Sequence, residues 1–116
     1  MGAKGGGVTV TPAIGITVSE ISTTAVIGTL AEALEAIRAF DPDAPLVLSL
    51  GFDTYHADPI CNLALRTEDY ARIGSAVSSL GMPVVALQEG GYAVDALGAN
   101  AVAFLGAMRG TIPTRR

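Results

Sequence analysis

The sequence has no tryptophan, a single cysteine (Cys61) and a single histidine (His56) in 116 residues. One cysteine excludes an internal disulfide framework and fits a reducing compartment, so we expect a cytoplasmic location. No apolar run reaches the length needed to span a membrane, and residues 1–7 lack the apolar segment of a secretory signal. Seven basic residues stand against eleven acidic ones, and only Arg115 and Arg116 are adjacent. We therefore expect neither a nucleic acid nor a membrane as a partner.

Charge of either sign is scarce in this chain. Charged residues make up 16% of it, whereas hydrophobic residues make up 50%. A domain of this length has much surface to cover, so a larger charged fraction is the usual case. The composition predicts that apolar surface meets another chain, as in a homo-oligomer, or that the sequence is part of a larger fold.

Residues 1–28 differ in pattern from the rest of the chain. A glycine-rich start is followed by apolar and polar residues that alternate from Val8 to Val18, which is typical of strands, and Pro12 interrupts them. We predict an atypical N-terminal segment over residues 1–28, with candidate edge strands, and an α/β domain over residues 29–116.

The signals for regular structure sharpen from Thr29 onward. The stretch T-L-A-E is a capping box in which Thr29 and Glu32 satisfy each other's amides, and it predicts a helix that ends near Phe40. The run "PLVLSL" follows and stops at Gly51. Because it is short and almost continuously apolar, it predicts a strand that is buried on both faces.

The second half of the chain repeats this alternation. Thr67 is a favourable N-cap for a second helix, and Gly81 and Pro83 predict the end of that helix. The run "PVVAL" predicts the next buried strand, and a third helix follows "QEGGY". The residues predicted on the inner helix faces are Tyr70, Ile73, Val77 and Leu80, then Val94, Leu97, Ala101, Phe104 and Met108. Alternating helices and strands predict a parallel sheet with helices packed on it.

Two polar loops follow the two predicted strands, and ligands bind beyond the carboxyl ends of such strands. Asp53 in "GFDTYHADP" and Tyr92 in "QEGGY" should therefore lie on the same rim of the sheet. The carboxylate of Asp53 suits zinc, or it caps nearby amides in the loop. The phenol of Tyr92 suits hydrogen bonding to a developing oxyanion, or its ring packs on the sheet edge. Gly90 and Gly91 permit positive φ and a close backbone approach beside it.

The spacing D-x-x-H-x-D-x-x-C from Asp53 to Cys61 matches no structural zinc pattern, so we do not interpret it as a self-contained metal loop. Asp58 precedes a proline and is predicted to be a turn residue whose side chain bonds the backbone. His56 is predicted to be exposed, and Cys61 to be a small buried apolar residue.

The segments "LVLSLGFDTYHADP" and "LRTEDYARIGSAVSSLGMPVVALQEGGYAVDALGANAVAFL" together resemble the carboxyl-terminal part of the histone deacetylase superfamily. They are similar in particular to the acetylpolyamine amidohydrolases and related class II-like deacetylases. The matching features are G-F-D with D-P, the helix start L-x-T-x-D-Y, and E-G-G-Y with the helix after it. They cover about residues 29 to 109.

The resemblance implies a three-layer α/β fold with a mostly parallel sheet and flanking helices, as in arginase and the deacetylases. It also implies zinc-dependent hydrolysis of an acetylated amine. Asp53 matches the second aspartate of the Asp-His-Asp zinc ligands, and Tyr92 matches the tyrosine that polarises the acetyl carbonyl. Gly90 and Gly91 match glycines that line the acetyl pocket.

The chain departs from the family in lacking an upstream Asp-x-His segment and a pair of adjacent histidines. A catalytic zinc ion takes three protein ligands, and water activation needs a base. Three readings follow: a truncated member that is inactive alone, a zinc amidohydrolase completed by another chain or by His56 and Asp58, and a non-catalytic α/β module that self-associates.

Overall fold

Helices and strands follow one another in the predicted order in the computed structural model, which describes residues 22–109. The elements are α1 (Thr23–Phe40), β1 (Leu46–Leu50), α2 (Thr67–Ser78), β2 (Val84–Gln88) and α3 (Val94–Met108). The predicted α/β class, with parallel strands and flanking helices, is confirmed. None of the helices in this part of the chain is both long and apolar enough to cross a membrane.

The two strands pair in parallel and without offset, from Leu46 opposite Val84 to Leu50 opposite Gln88. The pairing continues past the strands into the loops. The amide of Glu89 donates to the carbonyl of Leu50 at 2.8 Å, and the amide of Phe52 donates to the carbonyl of Gly90 at 3.2 Å. Because this ladder extends beyond the sheet, the loops after β1 and β2 leave it side by side.

The buried core lies between the loop after β1 and the helices α2 and α3. Its members are Phe52 and Leu65 from the loop, Tyr70 from α2 and Phe104 from α3. The rings of Phe52 and Tyr70 meet edge to face, with 5.2 Å between their centroids. Leu48 and Leu50 of β1 also pack against this cluster. The loop that carries Asp53 is therefore anchored in the core by the residue directly before it.

The first helix begins about two turns earlier than the sequence predicts. Ser22 is the N-cap, and its hydroxyl accepts from the amide of Ala25 at 3.1 Å. The predicted capping box of Thr29 and Glu32 is wrong, because both residues lie inside a continuous helix. The helix ends at Phe40 as predicted, and Asp41 after it takes a left-handed conformation with φ 54°.

The second helix begins at Thr67, but Thr67 is not its cap. Arg66 occupies the N-cap position, and its amide donates to the carboxylate of Asp69 at 2.9 Å. The hydroxyl of Thr67 instead donates to the side-chain oxygen of Asn100 in α3 at 2.7 Å. The prediction of Thr67 as N-cap is wrong because a buried partner on another helix takes its hydroxyl.

Much of the sheet is exposed, so the predictions that β1 is buried on both faces and that β2 is a buried strand are wrong. The bare sheet face consists of Val47, Val85 and Leu87. On the opposite face, Leu48 and Leu50 of β1 pack against the buried cluster, whereas Ala86 and Gln88 of β2 are exposed there too. No element within residues 22–109 covers the bare sheet face. Val94 is also exposed, at the start of α3, although the sequence places it on the inner stripe. The apolar sequence of a strand indicates that the strand is suited to burial. It does not indicate which other element covers the strand.

The remaining sequence predictions concern the N-terminal part of the chain. The candidate edge strands between Val8 and Val18 lie outside the described residues. The division of the chain at residue 28 stays a prediction, although α1 runs through that position.

Candidate active site

The loops after β1 and β2 come together at the carboxyl end of the sheet, which is where the sequence predicts a site. The carboxylate of Asp53 lies against the backbone of Gly90. A Cβ atom added to Gly90 would stand 3.1 Å from Oδ2 and 3.3 Å from Cγ of Asp53. The predicted juxtaposition of the aspartate loop and the glycine-tyrosine loop is thus present in the fold.

Both glycines are required by this close approach. Gly90 has φ 89° and Gly91 has φ 122°, conformations that side chains other than glycine rarely adopt. A Cβ atom on Gly91 would come within 3.0 Å of Cβ of Phe52 and of Cδ1 of Leu97. The prediction that paired glycines allow positive φ and a close backbone contact is confirmed. A larger residue at either position would have a strained backbone, and its neighbours in the fold would have to shift by a few tenths of an ångström.

Asp58 is the turn residue that the sequence predicts, and it also accepts a hydrogen bond from the other loop. Its Oδ1 accepts from the amides of Ile60 at 2.8 Å and Cys61 at 3.2 Å, which closes the predicted turn. Its Oδ2 accepts from the amide of Tyr92 in the other loop at 2.9 Å. Burial acts to raise the pKa of Asp58, but the amides of Tyr92, Ile60 and Cys61 outweigh it and hold the pKa below its usual value. Asp58 is therefore a buried carboxylate that joins the two loops.

Tyr92 is about half exposed, at 49%. Both the hydrogen-bonding role of its phenol and packing of its ring on the sheet edge stay predictions. Only its backbone is tied to the neighbouring loop, through Asp58. The residue is consequently accessible from solvent over about half of its surface.

Cys61 and His56 differ in their surroundings. Cys61 was predicted to be buried, but it is only half-buried. Burial raises the pKa of its thiol, and the nearby carboxylates of Asp53 and Asp58 raise it further. His56 is exposed as predicted. The centroid of its ring lies 4.5 Å from the centroid of the Tyr55 ring. Within residues 22–109, neither residue belongs to a group of three such side chains that could hold a metal ion.

The residues described here do not make a complete zinc site. Within residues 22–109, no three side chains of the types His, Cys, Asp and Glu stand together so as to hold a metal ion. Asp53 offers one carboxylate at the rim, whereas a catalytic zinc ion takes three protein ligands.

Tyr70 is buried next to the loop after β1. The sequence predicted that its ring packs in the core, but not that its hydroxyl contacts this loop. Its hydroxyl lies 2.7 Å from that of Thr54, in the loop after β1. Burial raises the pKa of Tyr70 to about 12, against the opposing effect of the hydrogen bond with Thr54. The aspartate loop is therefore held from below by a neutral phenol.

We expect the free energy of unfolding to fall as the pH rises from 10 to 12. The unfolded chain ionises this phenol near pH 10, whereas the folded chain keeps it neutral until about pH 12. The stabilisation is complete below pH 10, and its loss amounts to roughly 2–3 kcal/mol. Urea unfolding across this range measures it. The Tyr70→Phe variant should show a flatter profile, and an equally steep decline in that variant would contradict the assignment.

A groove of about 280 Å³ lies between α1 and α2, apart from the loops just described. Its lining residues are Ile27, Leu30, Ala31, Leu34, Glu35, Arg38, Arg72 and Ala76. None of them belongs to the loops after β1 and β2, so the groove is not part of the candidate site.

Comparison with known proteins identifies similar sequences. The family model described as the histone deacetylase domain matches residues 3–108. Acetylpolyamine amidohydrolase of Burkholderia pseudomallei is 48% identical over 82 residues, which are 68% of this chain and 24% of that protein. Acetylpolyamine amidohydrolase 1 of Pseudomonas aeruginosa is 49% identical over 73 residues, or 63% of this chain and 21% of that protein.

Solved structures of similar fold come from the same class of proteins. The crystal structure of acetylpolyamine aminohydrolase from Burkholderia pseudomallei superposes with a TM-score of 0.74 at 41% identity. It matches 78% of this chain and 26% of its own length. The histone deacetylase Clr3 gives a TM-score of 0.71 at 25% identity, over 84% of this chain and 17% of its own. The chain thus spans about a quarter of the length of the acetylpolyamine relatives that it matches.

Proposed function

Because the chain belongs to the histone deacetylase domain family, we propose that it contributes part of the active site of a zinc-dependent amidohydrolase. The observation that carries this proposal is the meeting of two loops at one end of a parallel strand pair. There, the carboxylate of Asp53 lies beside Gly90, two residues before Tyr92. The resemblance of the sequence to the family assigns catalytic roles to these same positions.

We propose a role for each of four residues, which are Asp53, Gly90, Gly91 and Tyr92. Asp53 is a zinc ligand, since carboxylate oxygen is a common zinc donor. Tyr92 donates a hydrogen bond to the oxygen of the substrate acetyl group, where negative charge develops as the amide is attacked. Gly90 and Gly91 form the wall of the acetyl pocket, because residues without side chains leave room for it. The exposure of Tyr92 fits a group that meets its substrate from outside this segment.

The substrate class that we propose is an N-acetylated amine, either an acetylpolyamine or acetyl-lysine. The relatives of highest identity described above are named acetylpolyamine amidohydrolases. The resemblance assigns one zinc ligand and no base to this chain, so we propose that the chain alone does not hydrolyse such substrates. The other ligands and the base come from residues outside those described here.

A segment exchange tests this proposal. The 82 matched residues of the Burkholderia pseudomallei relative are replaced by the corresponding residues of this chain. We expect the chimera to retain zinc and to hydrolyse an acetylpolyamine, whereas the isolated chain does neither. Tyr92→Phe in the chimera should lower kcat by about 10²–10³-fold, as expected for loss of one hydrogen bond to an oxyanion. Asp53→Ala should remove both zinc and activity.

The control in the same experiment is His56→Ala. His56 lies in the same loop as Asp53 but is exposed, so its removal should leave kcat and zinc content unchanged. A folded, active chimera that is insensitive to Tyr92→Phe would refute the role of Tyr92. Hydrolysis by the isolated chain that is abolished by a chelator and by Tyr92→Phe would instead show that it holds a complete site.

The bare sheet face favours a second candidate function, a module that self-associates. Val47, Val85 and Leu87 form an exposed apolar surface, and contiguous surfaces of this kind mark interaction sites. Burial of this face against a second copy would also account for the small number of charged residues in the sequence. We propose a homo-oligomer that forms through this face.

We expect the purified chain to have the mass of a dimer or larger species in light scattering, and Leu87→Lys to shift it to the monomer. A lysine on the bare sheet face would have to leave water on association, which is costly. Glu32→Lys, at an exposed position on α1, is the control and should leave the mass unchanged. A strictly monomeric wild-type chain at high concentration would contradict the proposal.

A further inference from the structure

Asp58 makes three hydrogen bonds that divide between its two carboxylate oxygens. Oδ1 accepts from two amides of its own loop, those of Ile60 at 2.8 Å and Cys61 at 3.2 Å. Oδ2 accepts from the amide of Tyr92 at 2.9 Å, across 34 positions of sequence. The residue is only 7% exposed, so these bonds are shielded from water.

The peptide that leads to Tyr92 has little conformational preference of its own. Gly90 and Gly91 both have positive φ, and glycine populates many other conformations as readily. On one side, the loop is anchored where the amide of Phe52 donates to the carbonyl of Gly90 at 3.2 Å. On the other side, the amide of Tyr92 donates to Asp58, which is a second hydrogen bond between this loop and the aspartate segment.

We infer that Asp58 is the positioning residue for Tyr92. Its second oxygen fixes the tyrosine backbone and so sets where the phenol stands relative to Asp53. This inference rests on the role proposed for Tyr92, but it concerns the geometry of the loop and not the chemistry. Asp58 itself touches no substrate, and its effect passes through the main chain of its neighbour.

A role in the turn explains the hydrogen bonds of Oδ1 of Asp58 but not the hydrogen bond of Oδ2. Asparagine serves equally well in such a turn, because one carbonyl oxygen receives both amides. The second oxygen would be a buried acceptor without a partner if Tyr92 were not there, which is costly. Helix α3 begins two residues after Tyr92, and its N-cap Ala93 has no side-chain capping bond. The charge of Asp58 therefore also lies near the positive end of that helix.

The test separates the two oxygens by the variant Asp58→Asn. The asparagine oxygen keeps the turn, whereas its NH₂ group faces the amide of Tyr92 and cannot accept from it. In the isotope-labelled 116-residue chain, we expect the Tyr92 amide to exchange with solvent about tenfold faster or more, as for loss of a bond to a charged acceptor. Its order parameter should fall from roughly 0.85 to below about 0.6. The amides of Ile60 and Cys61 should keep their protection.

Asp69→Asn is the matched control. Asp69 is also 7% exposed and also accepts a backbone amide, that of Arg66, but it does not contact the tyrosine loop. This variant should leave the Tyr92 amide unchanged. A Tyr92 amide that behaves in Asp58→Asn as it does in the wild type would overturn the inference, and so would equal effects of the two substitutions.

A measurement on the wild-type chain decides the matter if Asp58→Asn does not fold. Scalar coupling across the hydrogen bond, between the Tyr92 amide nitrogen and the carboxylate carbon of Asp58, is expected. Absence of that coupling together with rapid exchange of the amide would overturn the inference. Neither readout uses zinc or substrate, so failure here is distinguishable from failure of the chimera to turn over an acetylated amine.

Discussion

Gly74→Ala is expected to lower the free energy of unfolding by about 3 kcal/mol, although alanine is the better helix former. Gly74 is buried in α2 where this helix crosses α3. A Cβ atom there would overlap the carbonyl oxygen of Phe104 and lie 3.1 Å from Cβ of Ala107. A backbone carbonyl cannot move away without shifting its helix, so α2 and α3 would have to separate.

The control for this substitution is Gly98→Ala, in the middle of α3. Nothing lies within 4 Å of a Cβ atom added there, so only the helix propensity changes. We expect Gly98→Ala to stabilise the chain by about 0.5–1 kcal/mol. Urea unfolding at neutral pH measures both variants. If the two substitutions had effects of the same sign and size, the close crossing of α2 and α3 at Gly74 would be contradicted.

Phe104→Ala is expected to cost about 3–5 kcal/mol, the range for removing a fully buried aromatic side chain. Phe104 is 0% exposed and belongs to the same buried cluster as Phe52 and Tyr70. The cavity left behind would border the residue that immediately precedes Asp53. We therefore expect the substitution to loosen the loop after β1 as well as the interface between the helices.

Leu105→Ala provides the comparison, because Leu105 is the next residue of the same helix and is 49% exposed. Its removal should change the free energy of unfolding by less than about 0.5 kcal/mol, as is usual for surface positions. Chemical unfolding gives the difference between the two variants. Similar losses at both positions would mean that the inner face of α3 is not the one assigned here.

The order of elements was predictable because each signal for it is local. Gly81 and Pro83 mark the end of α2, and the short apolar runs mark β1 and β2. Phe104 and Tyr70 were predicted on inner faces from helical spacing and are buried. Local signals were ambiguous at the start of α1, where two residues are candidate N-caps. The T-L-A-E stretch at Thr29 satisfies the rule for a helix start, and Ser22 satisfies it earlier in the chain.

The candidate site was predictable to the extent that topology determines it. Parallel strands place their carboxyl ends together, so Asp53 and Tyr92 were expected on one rim. The turn at Asp58 was also readable, from an aspartate before a proline. The bond from Asp58 to Tyr92 was not readable, because no pattern in the sequence relates residues that are 34 positions apart.

By itself, the sequence determined the alternation of helices and strands, the parallel sheet and the rim at which two loops meet. These follow from periodicity and from the short-range rules of turns and caps. Tertiary structure alone decided which oxygen of Asp58 holds Tyr92, why Gly74 cannot carry a side chain, and which parts of the sheet are exposed. The reason is that each of these depends on how close atoms from distant parts of the chain come once the helices and loops have packed.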